Sequence, residues 1–201
     1  MKLYFILTSL IILSSNTYAR EVEAPFGLSW GSTKNQLKSK GVVFGNCNTD
    51  DSLTLCEITK PIKPVSFGRT YSLIFHSKMG LHKVIMMSKN IDDDITGSKG
   101  KELYSKIKSS LTNKYGDSKN YEYTGRKIYD EYDEFYQCLK YSGCGNWMSF
   151  WEAKEGGIVA LEIEGAARGK GYLRLSYESK NWSGIIDERK QKTDMNDIDS
   201  L

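Results

Sequence analysis

The chain has 201 residues, 39% of them hydrophobic and 12% aromatic, with 28 basic against 25 acidic side chains and a formal net charge of +3. So even a balance excludes the concentrated basic face that non-specific nucleic-acid binding requires. The length and hydrophobic share are sufficient for one domain with a closed core.

Residues 1–19, MKLYFILTSLIILSSNTYA, read as a secretory signal peptide. Lys2 is a short positive head, Leu3–Leu13 an apolar run, and Thr17 and Ala19 the small residues of a cleavage site. That run is well short of the about 20 residues needed to span a bilayer, and no later stretch is longer, so no membrane span is expected. No Cys lies at the cleavage site, so no lipid anchor is expected either. A periplasmic or secreted bacterial protein follows as the expectation.

The mature chain opens with alternating Phe26, Leu28 and Trp30, an expected entry strand with one apolar face. Ser32 or Thr33 is placed to N-cap a short helix running through Leu37 and ending at Gly41. Val42–Phe44 and Leu53–Ile58 read as strands around a turn, followed by a loop at Pro61 and Pro64. Tyr71–Met87 reads as a strand, a Lys-x-Gly turn and a returning strand. After the polar turn at Ile91–Asp94, Leu103, Ile107, Leu111 and Tyr115 form one apolar stripe, predicting a helix over Ser98–Tyr115 with Gly116 at its end. Ile128, Tyr132, Phe135 and Leu139 continue at helical spacing and predict a third helix, with Asp130, Glu131, Asp133 and Glu134 outward. Trp147–Ile163 echoes the first hairpin 76 positions later, with Lys78 matching Lys154 and Gly80 matching Gly156. A last strand alternates Leu173, Leu175 and Tyr177, and residues 181–201 are a polar tail expected to fray.

The expected fold is therefore α+β: antiparallel sheet(s) with two or three helices, arranged as tandem helix-plus-hairpin units over 26–90 and 98–178 of a single domain, 20–180. All four cysteines lie in the mature part. Three pairings are open, and an exported chain with an even count favours the two local ones, Cys47–Cys56 and Cys138–Cys144.

Motifs that carry chemistry are few. Gly27–Gly31 matches G-x-S-x-G around Ser29, but the strand–turn–helix setting of a nucleophile elbow is missing around it. His76 and His82 flank a hairpin turn and read as solvated residues without a third metal ligand. Asp92–Asp94 lacks the spacing of a calcium loop. Phosphate-loop, dinucleotide, HExxH and CxxC patterns are all lacking, so no cofactor and no metal are expected. The Tyr-rich acidic stretch 121–136 is the remaining feature. Tyr121, Tyr123, Tyr132 and Tyr136 are the candidate binding residues, since tyrosine joins large contact area to a polar tip. The competing assignment makes half of them core and the acids a solvated helix face.

The opening FGLSWGSTKNQL resembles the start of exported bacterial proteins of unknown function that begin "PFGL-WG-S" and then enter a short helix. Gly31–Leu37, GSTKNQL, is also similar to the G-M-T-x-x-Q-V helix start of the small lipoprotein of the outer-membrane protein assembly machine. The first resemblance implies bacterial export, the second an accessory role in the envelope. The residues themselves favour a non-catalytic binder of another protein in the cell envelope, inhibitor- or immunity-like. An envelope-assembly or cell-wall accessory protein is the alternative, and a hydrolase using Ser29 stands behind both.

Overall fold

In the computed structural model, residues 21–125 and 128–200 are described; the signal-peptide expectation on residues 1–19 lies outside them. One eight-stranded antiparallel sheet organises these residues, with four helices, which is the expected α+β class. Element order is α1 Lys34–Ser39, β1 Val43–Asp50, β2 Leu53–Lys60, β3 Gly68–His76, β4 Gly80–Ser88, α2 Ser98–Tyr115, β5 Lys119–Tyr123, α3 Phe135–Lys140, β6 Asn146–Glu152, β7 Ile158–Ala167, β8 Lys170–Glu178 and α4 Trp182–Asp199.

The strand order is β1-β2-β3-β4-β8-β7-β6-β5. Each half is a helix followed by four antiparallel strands, α3 being inserted between β5 and β6 of the second, and within the sheet the halves join along β4 and β8. The hairpin β3–β4 therefore occupies the place of β7–β8. The 76-residue echo aligned it with β6–β7, and the topology corrects that match.

Alternation gives the sheet two unlike faces. The inner face carries Cys56, Ile58, Tyr71, Leu73, Phe75, Val84, Met86, Trp151, Val159, Leu161, Ile163, Leu173 and Leu175, all buried in one core. Helix α2 lies across β6, β7 and β8, and α3 sits on β7. In α2, Tyr104, Ile107, Leu111 and Tyr115 are buried, close to the predicted stripe. Thr33 caps α1 in a capping box: Gln36 N–H donates to Thr33 Oγ1 at 3.3 Å, and Thr33 N–H donates to Gln36 Oε1 at 2.8 Å. Both local disulfides form, Cys47–Cys56 tying β1 to β2 and Cys138–Cys144 closing the end of α3. Such bridges fit an oxidising compartment. Among the described residues no helix is long and apolar enough to cross a membrane.

Three expectations need correction. The entry segment is not a strand: it is irregular, with Val22 and Leu28 buried and the Phe26 ring edge-on to Tyr71 at 5.1 Å. Only the last part of the predicted third helix, Phe135–Lys140, is helical; Tyr129 takes a positive φ of 58°, incompatible with a helix start at Ile128, and residues 131–134 form a turn. Finally, the polar tail is helix α4. It starts by burying Trp182 and Ile185 against Leu53 and Ile74, in a cluster separate from the main core. Further along, Arg189 pairs with Asp50, and Lys192 with Asp51 at 2.7 Å.

Candidate functional site

Because Leu53 and Ile74 lie on the outer face, the start of α4 covers part of that face in the first half of the sheet, beside the β1–β2 and β3–β4 turns, while Leu55 stays 42% exposed. Over the second half the same face is bare. Its residues stand in three rows set by the register. One row runs Tyr121, Met148, Glu162, Arg174 across β5, β6, β7 and β8. The next runs Lys119, Phe150, Ala160, Ser176. The third runs Glu152, Ile158, Glu178, Lys83, crossing onto β4.

The middle row explains the shape. Ala160 and Ser176 are small, and larger side chains surround them. A shallow depression of about 480 Å³ results, lined by these residues and floored by β7 and β8. Its rim is charged in pairs: Lys83–Glu178 at 2.6 Å, Lys119–Glu152 at 3.0 Å, and Arg174 against Glu162. Arg174 also faces Glu164 at 4.0 Å. Burial, and then the neighbouring Glu162 carboxylate, push the Glu164 carboxyl above the usual glutamate range, with Arg174 opposing. The apolar part is Tyr121, edge-on to Phe150 at 6.0 Å, with Met148 beside them. This chemistry suits contact and recognition: aromatic area at the margin, a small-residue floor and paired charges around it.

The four candidate tyrosines separate. Tyr121 and Tyr123 share the outer face of β5, Tyr121 being 50% exposed. Tyr132 stands 77% exposed in the loop before α3. Tyr136 is a core residue at 0% exposure and is corrected out of the binding set. Its hydroxyl donates to Asp94 Oδ2 at 2.8 Å. Glycines make room for the residue: a Cβ on Gly100 would stand 2.4 Å from its hydroxyl, one on Gly171 2.2 Å from its ring, and one on Gly165 1.9 Å from its backbone carbonyl oxygen. Asp94 in turn starts α2, accepting the Gly100 N–H at 3.0 Å and the Ser98 hydroxyl at 3.1 Å. Thus Asp94, the last of the aspartate run, binds the first turn of α2 just ahead of its N-cap Gly97, an assignment the spacing could not make.

His82 is a second correction. It is buried rather than solvated, sitting in a β-bulge of β4, with Nδ1 2.7 Å from Ser179 Oγ and Nε2 left without a hydrogen-bond partner. Burial lowers its pKa below the usual histidine value. Ser29 lies exposed on an irregular turn, and the ring hydrogen bonds of His82 and His76 go to Ser179 and the Lys78 N–H. Among the described residues no three His, Cys, Asp or Glu side chains converge as a metal site. Met148 and Phe150 were missed by sequence reasoning. Their signal was the alternation of 146–152, which reads equally well as core.

These features define a disulfide-stapled α+β protein built on one antiparallel sheet with half of one face open. Compared with protein-family models, with curated proteins and with solved structures, the chain matches none.

Proposed function

We propose that this is an exported, non-catalytic protein that binds another protein of the cell envelope, inhibitor-like, through the open outer face of its second half. The observation that carries the reading is the asymmetry of that face: α4 packs on part of one half, and no described helix packs over Tyr121, Met148 and Phe150 on the other, beside the depression. Two disulfides and the signal-like leader support export. Affinity capture from envelope extract with wild-type protein and with Met148→Asp/Phe150→Asp tests it, folding of both being checked by circular dichroism. One protein retained by the wild type and lost by the variant is expected. Equal retention by both sinks the proposal.

The envelope-assembly reading draws on a narrower observation, the Thr33–Gln36 capping box that opens α1 where the resembling lipoprotein opens its helix. Co-fractionation with an outer-membrane complex supports that reading, and a freely diffusing pool counts against it.

A further inference from the structure

The seam between β4 and β8 is a local two-fold axis. Ile85 faces Ser176 across it, and the pairs Lys83–Glu178 and Met87–Arg174 flank it. A half-turn about the Ile85–Ser176 point exchanges Lys83 with Arg174. Following the register outward, Ile74 exchanges with Glu162, Leu55 with Met148, and Asn48 with Tyr121. A two-fold normal to the sheet keeps each face on its own side. The bare row Arg174, Glu162, Met148, Tyr121 is therefore the image of the row Lys83, Ile74, Leu55, Asn48.

The first-half row takes a helix at its Lys83–Ile74 end, while Leu55 and Asn48 at its other end stay exposed. Trp182 of α4 lies with its ring 5.1 Å from Lys83 Nζ, and Ile185 packs in the cluster with Leu53 and Ile74. The image site keeps the cation, as Arg174, whose planar guanidinium stacks on aromatic rings better than an ammonium does. It replaces apolar Ile74 by Glu162, and Glu162 and Glu164 share the single guanidinium of Arg174. One negative charge is thus left on this part of the face. It adds Tyr121 where the first half has Asn48.

We infer that the open half takes an amphipathic helix of the partner protein, presenting an aromatic side chain to Arg174 and a basic side chain to Glu162 and Glu164. The inference rests on the proposed binding function and specifies its partner. Helix-in-groove docking uses anchors at i, i+3 and i+4, which is the spacing Trp182 and Ile185 show in α4.

The test places the photocrosslinker p-benzoylphenylalanine at position 121 or 148 of the full chain, in cells that make the protein natively, and maps the adducts by mass spectrometry. Adducts within one helical segment, at i, i+3 or i+4 spacing and containing an aromatic residue and Lys or Arg, are expected. Glu162→Lys/Glu164→Lys should lower their yield on the order of tenfold or more, since like charges are then apposed. Adducts to a second copy of this chain, or to an extended or acidic segment, overturn the helix while leaving protein binding intact. An unchanged yield in the charge-reversed variant overturns it too. No protein adduct from either position overturns both readings.

Discussion

Replacing Tyr136 by Phe removes one hydroxyl and leaves the ring among the glycines that frame it. The lost bond runs from a fully buried phenol to a buried carboxylate at 2.8 Å. A hydrogen bond to a charged group contributes about 1.5–3 kcal/mol. Asp94 keeps the Gly100 and Ser98 donors, so the carboxylate is not orphaned, and about 2 kcal/mol is the expected loss at pH 7. For a chain of this size that lowers Tm by roughly 4–8 °C. The loss is also pH-dependent. Burial alone would raise the Asp94 pKa, but the Gly100, Tyr136, Lys99 and Ser98 donors outweigh it and hold the carboxyl below its usual range. A depressed folded pKa contributes stability that is present above the unfolded value, near ~3.9, and is lost as pH falls through the folded one. The gap between wild type and Tyr136→Phe should therefore narrow in acid. Urea denaturation at pH 7 and again below pH 3 measures it. A loss under about 0.5 kcal/mol at pH 7, as for an exposed tyrosine, or an equal loss at both pH values, would refute the core assignment.

Trp182→Ala should release α4 and leave the sheet folded, since Trp182 and Ile185 belong to a cluster apart from the main core. Amide exchange over 182–199 should then approach the unprotected rate with the main melting transition little moved; retained protection contradicts the docking. His82 is held neutral by burial, which lowers its pKa, with the Met79 carbonyl opposing in part. Stability should be complete above the unfolded value of about 6.5 and fall as pH drops through the folded value, by up to ~1.4 kcal/mol per pH unit. His82→Leu should flatten the urea midpoint between pH 7.5 and 5.5, and a slope that survives the substitution would place the titration elsewhere.

Local signals in the sequence were read correctly where the structure is itself local. The i, i+4 stripe of α2 ends at Gly116, the Thr33 box opens α1, and each disulfide joins neighbours on one hairpin or one helix end. The two largest failures depended on distant partners. α4 looked like a tail because two residues anchor it, and their contacts Leu53 and Ile74 lie more than a hundred positions upstream. Tyr136 looked like a surface residue because its acceptor, Asp94, and its glycine frame come from three other elements. The helical spacing of Ile128 and Tyr132 was real, yet both are exposed, so no buried face followed from it. Strand β5, which sets Tyr121 and Tyr123 on one face, was not among the expected elements, although the two tyrosines were singled out. That Met148, Ala160 and Ser176 extend that face depends on strand order, which alternation within one strand does not encode.

The β4–β8 seam has a consequence for the order in which the chain assembles. Every other strand pair joins strands consecutive in the chain, by short connections in the first half and across α3 between β5 and β6 in the second. Met87 must wait for Arg174, 87 positions later, before its strand gains a second neighbour. Until then the run Val84–Met87 is an apolar open edge, the kind that pairs with another chain. Lys83 is the one charge in that register, and it gates the edge during the interval. A chain released before residue 174 would carry a complete first half with this edge bare, and aggregation of such fragments, rather than their unfolding, is the failure the architecture is most exposed to.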